Sequence, residues 1–216
     1  MKSGFVTISF TALLCTAGCG DLDDGGPSRA AGSPTESAAV PSPSELAPSL
    51  DDDLSLHLLE LSLEDQDAHP FTLASLAGHP VLLTFFYSRC DTMCPLIVSD
   101  ARAVEAALPE SVRAELRVVI VSIDPDNDTT ARLREVARER GLPPDRWSLV
   151  RGSDADVRTL ASTLGMSYRP TPDGFAHNAI LTVLDARGVV AAQSLGTGQP
   201  VEPLVTAITQ IARPRS

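Results

Sequence analysis

The apolar positions of this chain gather into short dense runs, and the rest of the sequence is arranged between them. Val81 to Tyr87 is apolar and aromatic apart from Thr84, and Leu116 to Ile123 is a second run, rich in β-branched residues. Ala179 to Leu184 is a third, and Val189 to Leu195 follows after the turn sequence Asp185-Ala186-Arg187-Gly188. Continuous runs of this kind predict strands inside a helix-covered sheet, and the turn joins the last two as a hairpin. Trp147 to Val150 adds a short strand. Between the runs the period becomes helical. Leu96 to Leu108 predicts a helix with Pro95 at its first position. Asp128 or Thr129 caps a helix from about Thr130 to Arg140, stopped at Gly141 before Pro143-Pro144. Ser153 or Asp154 caps another that runs to about Leu164 and ends at Gly165, and Pro200 to Ala212 forms the last. Tyr168 to Gly174 reads as a Pro-rich loop. Ahead of all this, the brief alternation of Leu54, Leu56 and Leu58 predicts an outer strand within Leu54 to Leu63, and Phe71 to Gly78 a short strand and turn.

Strand–helix–strand–helix followed by hairpin and helix predicts an α/β protein with a thioredoxin-like fold, a central mixed sheet flanked by helices. Its first strands are parallel and its last pair antiparallel. That relation has a chemical consequence. If strand 179–184 runs antiparallel beside strand 81–87, its beginning lies next to the other's end. His177 then sits near the residues that follow Tyr87, although almost ninety positions separate them in the 216-residue chain.

The N-terminus has a different character. Met1-Lys2 is followed by a largely apolar stretch, Phe5 to Cys15, and by Thr16-Ala17-Gly18-Cys19. A basic start, a short apolar stretch and a small-residue site make an export signal, too short for a comfortable membrane span. The ending resembles a bacterial lipobox, which makes Cys19 the expected lipidation site, with Thr16 in place of the usual leucine. Gly20 to Asp53 is rich in Pro, Ser, Ala, Gly and Asp and is expected to be a disordered tether, spanning on the order of 30 Å. The expected organisation is therefore a lipoprotein-type signal over residues 1–19, a tether over 20–53 and one folded domain over 54–216.

The net charge of −11 makes nucleic acid and anionic membrane surfaces poor partners. Four cysteines are present, and two of them, Cys15 and Cys19, belong to the N-terminal signal. The domain keeps a single close pair, Cys90 and Cys94, which is no disulfide framework. The pair stands where the first buried strand hands over to a helix N-terminus. There the dipole and unpaired N–H groups favour thiolate over thiol. In a helical segment, positions four apart share one face, with Cα atoms about 6 Å apart, within disulfide reach. The same spacing lets both thiolates hold one metal. Two soft sulfurs and an imidazole suit three-coordinate Cu(I) and also admit Zn(II), although structural zinc wants a fourth ligand and no further cysteine is available. Met93, between the cysteines, reads as packing; Asp124 and Asp128 read as turn and cap residues, and His57, His69 and His79 as surface or turn positions.

Phe85-Phe86-Tyr87-Ser88-Arg89-Cys90-Asp91-Thr92-Met93-Cys94-Pro95 resembles the cysteine motif of the SCO/SenC copper proteins. Val121-Ser122-Ile123-Asp124-Pro125-Asp126-Asn127-Asp128-Thr129 resembles their Val-Ser-Val-Asp-Pro-x-x-Asp-Thr segment, and His177 stands at the position of their ligand histidine. The resemblance covers about Phe71 to Ala212. It implies copper bound by Cys90, Cys94 and His177, as Cu(I) and also Cu(II). It also implies a membrane-tethered metallochaperone of the periplasmic side of a bacterial envelope. Such a protein delivers copper to the binuclear copper centre of cytochrome c oxidase, reduces its cysteines, or does both. The implied partners are the copper-centre subunit of the oxidase, other copper carriers and thioredoxin-like reductants. Two residues depart from the pattern: Asp91 replaces a proline, and Ala176 replaces the aspartate before the histidine. The alternative reading is an extracytoplasmic thiol–disulfide oxidoreductase or a peroxiredoxin-like peroxidase with Cys90 and Cys94 as a redox pair. The Cys-x-x-x-Cys spacing departs from the thioredoxin motif, and Tyr87 stands where the peroxidase motif has threonine.

Overall fold

A computed structural model describes residues 54–212. The expected signal, Cys19 and the expected tether lie outside the described residues. Among the described residues the first strands are β1 (Leu63–Asp65), β2 (Pro70–Phe71) and β3 (Val81–Phe86). Helices α1 (Met93–Ala107) and α2 (Glu110–Glu115) lead to β4 (Arg117–Ser122). Helix α3 (Thr130–Glu139), β5 (Trp147–Gly152) and α4 (Asp154–Thr163) follow. The chain ends with β6 (Tyr168–Thr171), β7 (Gly174–His177), β8 (Ile180–Leu184), β9 (Val190–Leu195) and α5 (Glu202–Ile211). Seven strands form one sheet in the order β2-β1-β5-β4-β3-β8-β9, and β6 pairs only with β7. Strands β3, β4 and β5 are parallel; β8 is antiparallel to β3, and β9 to β8. This is the expected mixed sheet of a thioredoxin-like domain.

Burial follows position in the sheet. All six residues of β3 are buried and five of six in β4, because both strands have neighbours on each side and helices on each face. Strand β9 alternates between half-buried and exposed residues instead of forming a continuous buried run. It is an edge strand, and one of its faces meets solvent. The β3–β8 register runs from Val81–Leu184 to Thr84–Leu181, and the buried Thr84 hydroxyl donates to the Ile180 carbonyl at 2.7 Å. That bond fixes the start of β8 beside the end of β3.

Several boundaries differ from the sequence reading. Leu56–Leu58 is a turn of 3-10 helix, and strand structure begins only at Leu63. Leu56 is buried and its N–H bonds the Gly188 carbonyl at 2.9 Å, so the early leucines pack under a turn and do not alternate on a sheet. Helix α1 begins at Met93, so Pro95 occupies its third residue. A proline is tolerated there because N–H groups of the first turn have no intrahelical acceptor. The six-residue α2 was not expected; it carries no buried residue and so no apolar stripe to betray it. The segment from Tyr168 is a β-hairpin, not a loop, and His177 is its last residue.

Candidate functional site

The site forms where β3 ends. After Tyr87 the chain makes a turn closed by Cys90 N–H to Tyr87 carbonyl at 3.2 Å, and α1 starts three residues later. Cys94 is the second residue of α1, so its N–H is one of the unpaired donors of the first turn. It donates to Cys90 Sγ at 3.2 Å, while Tyr87 N–H donates to Cys94 Sγ at 3.5 Å. Both thiols are free, and Cys94 is fully enclosed. The two sulfurs differ chemically. Burial acts to raise the Cys90 thiol, but the Cys94 thiol and the backbone N–H groups of Cys94, Thr92 and Met93 outweigh it, so it lies below its ordinary value. Burial pushes Cys94 far up, beyond the range in which it ionises near neutral pH.

The turn is held from the neighbouring parallel strand. Asp128 is fully buried, and both its oxygens accept the Ser88 N–H, at 3.2 and 3.1 Å. Ser122 Oγ donates to the same carboxylate at 2.5 Å and accepts the Asp124 N–H at 3.1 Å. Asp124, also buried, accepts Arg89 Nη2 at 2.8 Å and Asn127 Nδ2 at 2.8 Å. Thr129, not Asp128, caps α3, accepting the Arg132 N–H at 3.2 Å. The two aspartates that the sequence offered as turn and cap therefore brace the cysteine turn. The available signal was their spacing: a carboxylate just past β4 must lie beside the residue just past β3.

His177 arrives on the β6–β7 hairpin. Its Nδ1 lies 3.1 Å from the Asn178 carbonyl. A proton on Nδ1 satisfies that oxygen and leaves the Nε2 lone pair free. The ring meets Tyr87 edge-on at 6.0 Å between centroids, and Phe175 meets Tyr87 likewise at 5.2 Å. Gly174 makes this approach feasible: a Cβ there would lie 2.7 Å from the Tyr87 hydroxyl, and its φ of +131° disfavours other residues. The base of the hairpin is tied by Asn178, whose Oδ1 accepts the Ser167 N–H at 2.7 Å and whose Nδ2 donates to the Gly165 carbonyl at 3.1 Å. Tyr168 packs beneath Phe175 at 5.9 Å and under the Arg158 guanidinium at 4.5 Å; burial raises its hydroxyl to about 12.

The ligand atoms of Cys90, Cys94 and His177 all lie within 4.8 Å of one another. The strand adjacency inferred from sequence thus brings these three side chains together. Two sulfurs and one free imidazole nitrogen can converge on one soft metal ion, and the sulfurs alone can exchange with a disulfide. The other histidines take no part. His69 lies 3.4 Å from Asp65, His79 lies 3.5 Å from Glu115, and His57 packs against Gly188. Met93 is partly exposed at the rim. Asp91 and Ala176, the departures from the family pattern, are both exposed, and the Asn178 carbonyl supplies the imidazole partner that a preceding aspartate could have supplied.

The sequence profile of the SCO1/SenC family matches residues 56–213. The chain belongs to this family. The SCO1 protein homolog of Bacillus subtilis is 25% identical over 124 residues, which is 57% of this chain and 64% of that protein. The chain therefore spans less than two thirds of this relative's length. Among solved structures, Arabidopsis thaliana ScoI with copper bound has a TM-score of 0.60 at 21% identity, covering 69% of this chain and 96% of that one. A SCO1/SenC family lipoprotein from Bacillus anthracis gives 0.65 at 21%, covering 72% and 95%. BsSco, a member of the Sco family of cytochrome c oxidase assembly proteins in which a disulfide switch was identified, gives 0.64 at 20%, covering 74% and 95%. At these identities the structural likeness speaks to the fold. Among the described residues no helix is long and apolar enough to cross a membrane.

Proposed function

We propose that this SCO1/SenC protein binds copper through Cys90, Cys94 and His177 and serves assembly of the binuclear copper centre of cytochrome c oxidase. The observation that carries the reading is the convergence of two thiols and one imidazole within 4.8 Å on this fold. The donor set fits the cargo: thiolates select Cu(I), and the imidazole adds a third ligand that also accommodates Cu(II). Copper bound to Arabidopsis ScoI supports the same cargo here. The partner is the copper-centre subunit of the oxidase, with other copper carriers and thioredoxin-like reductants as further exchange partners. In this reading residues 1–19 are an export signal ending at a lipidated Cys19, residues 20–53 a tether, and residues 54–216 the working domain on the periplasmic side of the membrane. The lipoprotein from Bacillus anthracis supports that anchoring. Mass spectrometry of the mature N-terminus checks it: the expected species begins at a lipid-modified Cys19, and a retained leader or an unmodified Cys19 removes the anchor.

The thiol pair favours a second activity in the same site. Cys90, with its donors and lowered thiol, is built to attack; Cys94, enclosed beside it, is built to resolve. The Cys90 thiolate attacks a partner disulfide and expels one partner thiolate. Cys94 then closes the intramolecular disulfide, releasing the second, so the partner gains two electrons and this protein loses two. Copper binding and the disulfide exclude each other, since a disulfide has no thiolate to donate. Titration of the reduced full-length protein with Cu(I), read by X-ray absorption, tests the primary reading. One copper with two sulfur scatterers is expected. Unchanged binding by the Cys90→Ser, Cys94→Ser protein would falsify it.

A further inference from the structure

We infer that Asp128 is a positioning residue that sets the geometry of the two thiols while touching neither of them. The inference rests on the copper and thiol chemistry proposed for this site. Asp128 is fully buried, and among the described residues no cation pairs with its carboxylate. Its neighbour Asp124 takes the Arg89 guanidinium at 2.8 Å. Burying an unpaired carboxylate is costly unless hydrogen bonds and dipoles compensate. Here the compensation is specific. Both carboxylate oxygens hold the N–H of Ser88, forty positions away, and one of them holds the Ser122 hydroxyl. Asp128 also precedes the N-cap of α3, where a negative charge meets the positive end of the helix dipole.

The bond to Ser88 is the one that reaches the thiols. Ser88 is the first residue past the buried Tyr87 and lies two before Cys90. Its N–H is aimed at Asp128, past the end of β4, and lies beyond the pairing of β3, which ends at Phe86 with Ile123 N–H on the Phe86 carbonyl at 2.9 Å. The carboxylate takes over as acceptor where the backbone ladder stops. It fixes where the turn leaves the sheet, and with it where Cys90 Sγ meets the Cys94 N–H and the start of α1. Asp124 adds a second brace through Arg89, but that guanidinium is more than half exposed and its pair is worth less than the buried one. A turn released from Asp128 keeps both cysteines in the chain but lowers the effective concentration of one sulfur at the other.

The test compares full-length wild type, Asp128→Ala and Asp128→Asn for Cu(I) affinity, measured by chelator competition, and for dithiol–disulfide potential against glutathione, with thermal midpoints recorded alongside. Alanine should weaken Cu(I) binding about tenfold or more and make the disulfide easier to reduce, by about 30 mV for each tenfold fall in effective concentration. Asparagine keeps one acceptor oxygen for Ser88 and should shift both readings in the same direction by less. A folded variant with a lowered thermal midpoint but wild-type affinity and wild-type potential overturns the inference, since the carboxylate would then be only a buried structural group. Should the alanine protein not fold, the asparagine protein decides on the same two readings. Failure of wild type itself to take up Cu(I) removes the copper reading, and the potential then decides the role of Asp128 alone.

Discussion

The thiols and the imidazole of the candidate site are supported in opposite ways. Cys90 and Cys94 follow a strand with all six residues buried, Cys90 on a turn held by the buried carboxylate of Asp128 and Cys94 in the first turn of α1. His177 sits on a two-stranded hairpin outside the main sheet, fixed by an exposed asparagine, a backbone carbonyl and the edge of one tyrosine ring. Packing against a sheet core makes position costly to change, whereas a peripheral hairpin yields locally at little cost to the whole. The sulfur pair is therefore part of the fold's stability. The imidazole is an addition that can be weakened without unfolding the domain. The carrier role proposed above, which requires keeping and surrendering a metal ion, would gain from that division.

The comparison breaks most visibly at the sulfurs. Replacing Cys90 and Cys94 together by serine should abolish Cu(I) binding, and the buried hydroxyl at position 94 should cost about 1–3 kcal/mol of stability. Thermal unfolding and copper titration of the same protein check both parts. His177→Ala comes next: copper affinity should fall roughly tenfold or more, the least that losing a ligand should cost when even its outer partners cost that much. Its disulfide potential should stay at the wild-type value. An equal loss in both readings would mean that the hairpin also positions the thiols.

Gly174→Ala sharpens the contrast. The new Cβ would meet the Tyr87 hydroxyl at 2.7 Å on a backbone with φ +131°. Strain of about 1–3 kcal/mol should fall on the hairpin. Copper affinity should move in the direction of His177→Ala but less far, with the potential unchanged. The smallest effect concerns the thiols alone. Alkylation of the reduced protein should rise with pH as Cys90 loses its proton, with an apparent pKa below the ordinary value of about 8.5. Cys94 should resist, since burial holds its thiol protonated. Peptide mapping after limited alkylation at neutral pH should find Cys90 labelled first; preferential labelling of Cys94 would reverse the assignment of attacking and resolving sulfurs.

Much of this was legible in the sequence for a physical reason. The strands at 81–87 and 116–123 lie in the sheet interior, where burial on both faces leaves a continuous apolar signature. The caps, read to within one residue as Asp128 or Thr129 and Ser153 or Asp154 and found at Thr129 and Ser153, and the stops Gly141 and Gly165 are local effects of backbone geometry. The antiparallel β8 followed from element order and put His177 near the thiols. The edges were harder to read. Leu56 is buried by a turn 132 residues away, a contact with no period. The hairpin at Tyr168–His177 was hidden by Pro170, which a strand outside the main sheet tolerates, and by Pro172 in its turn. The bracing by Asp124 and Asp128 was hidden for another reason: a capping aspartate and a buried anchoring aspartate look alike until the neighbouring strand end is in view.

Topology also sets an order of assembly. The parallel pair β3–β4 and the two helices between them can form from residues 81–122, and both sulfurs are in place by then. The imidazole follows 87 positions after Cys90, just ahead of β8, and β8 must add to the other side of β3. Contacts this distant in sequence are closed late, because the intervening chain must first give up its freedom. A chain that has not yet added β8 presents two thiols beside an open strand edge, the condition most exposed to wrong pairing. Convergence of Cys90, Cys94 and His177 is thus a certificate that the last third of the domain has docked.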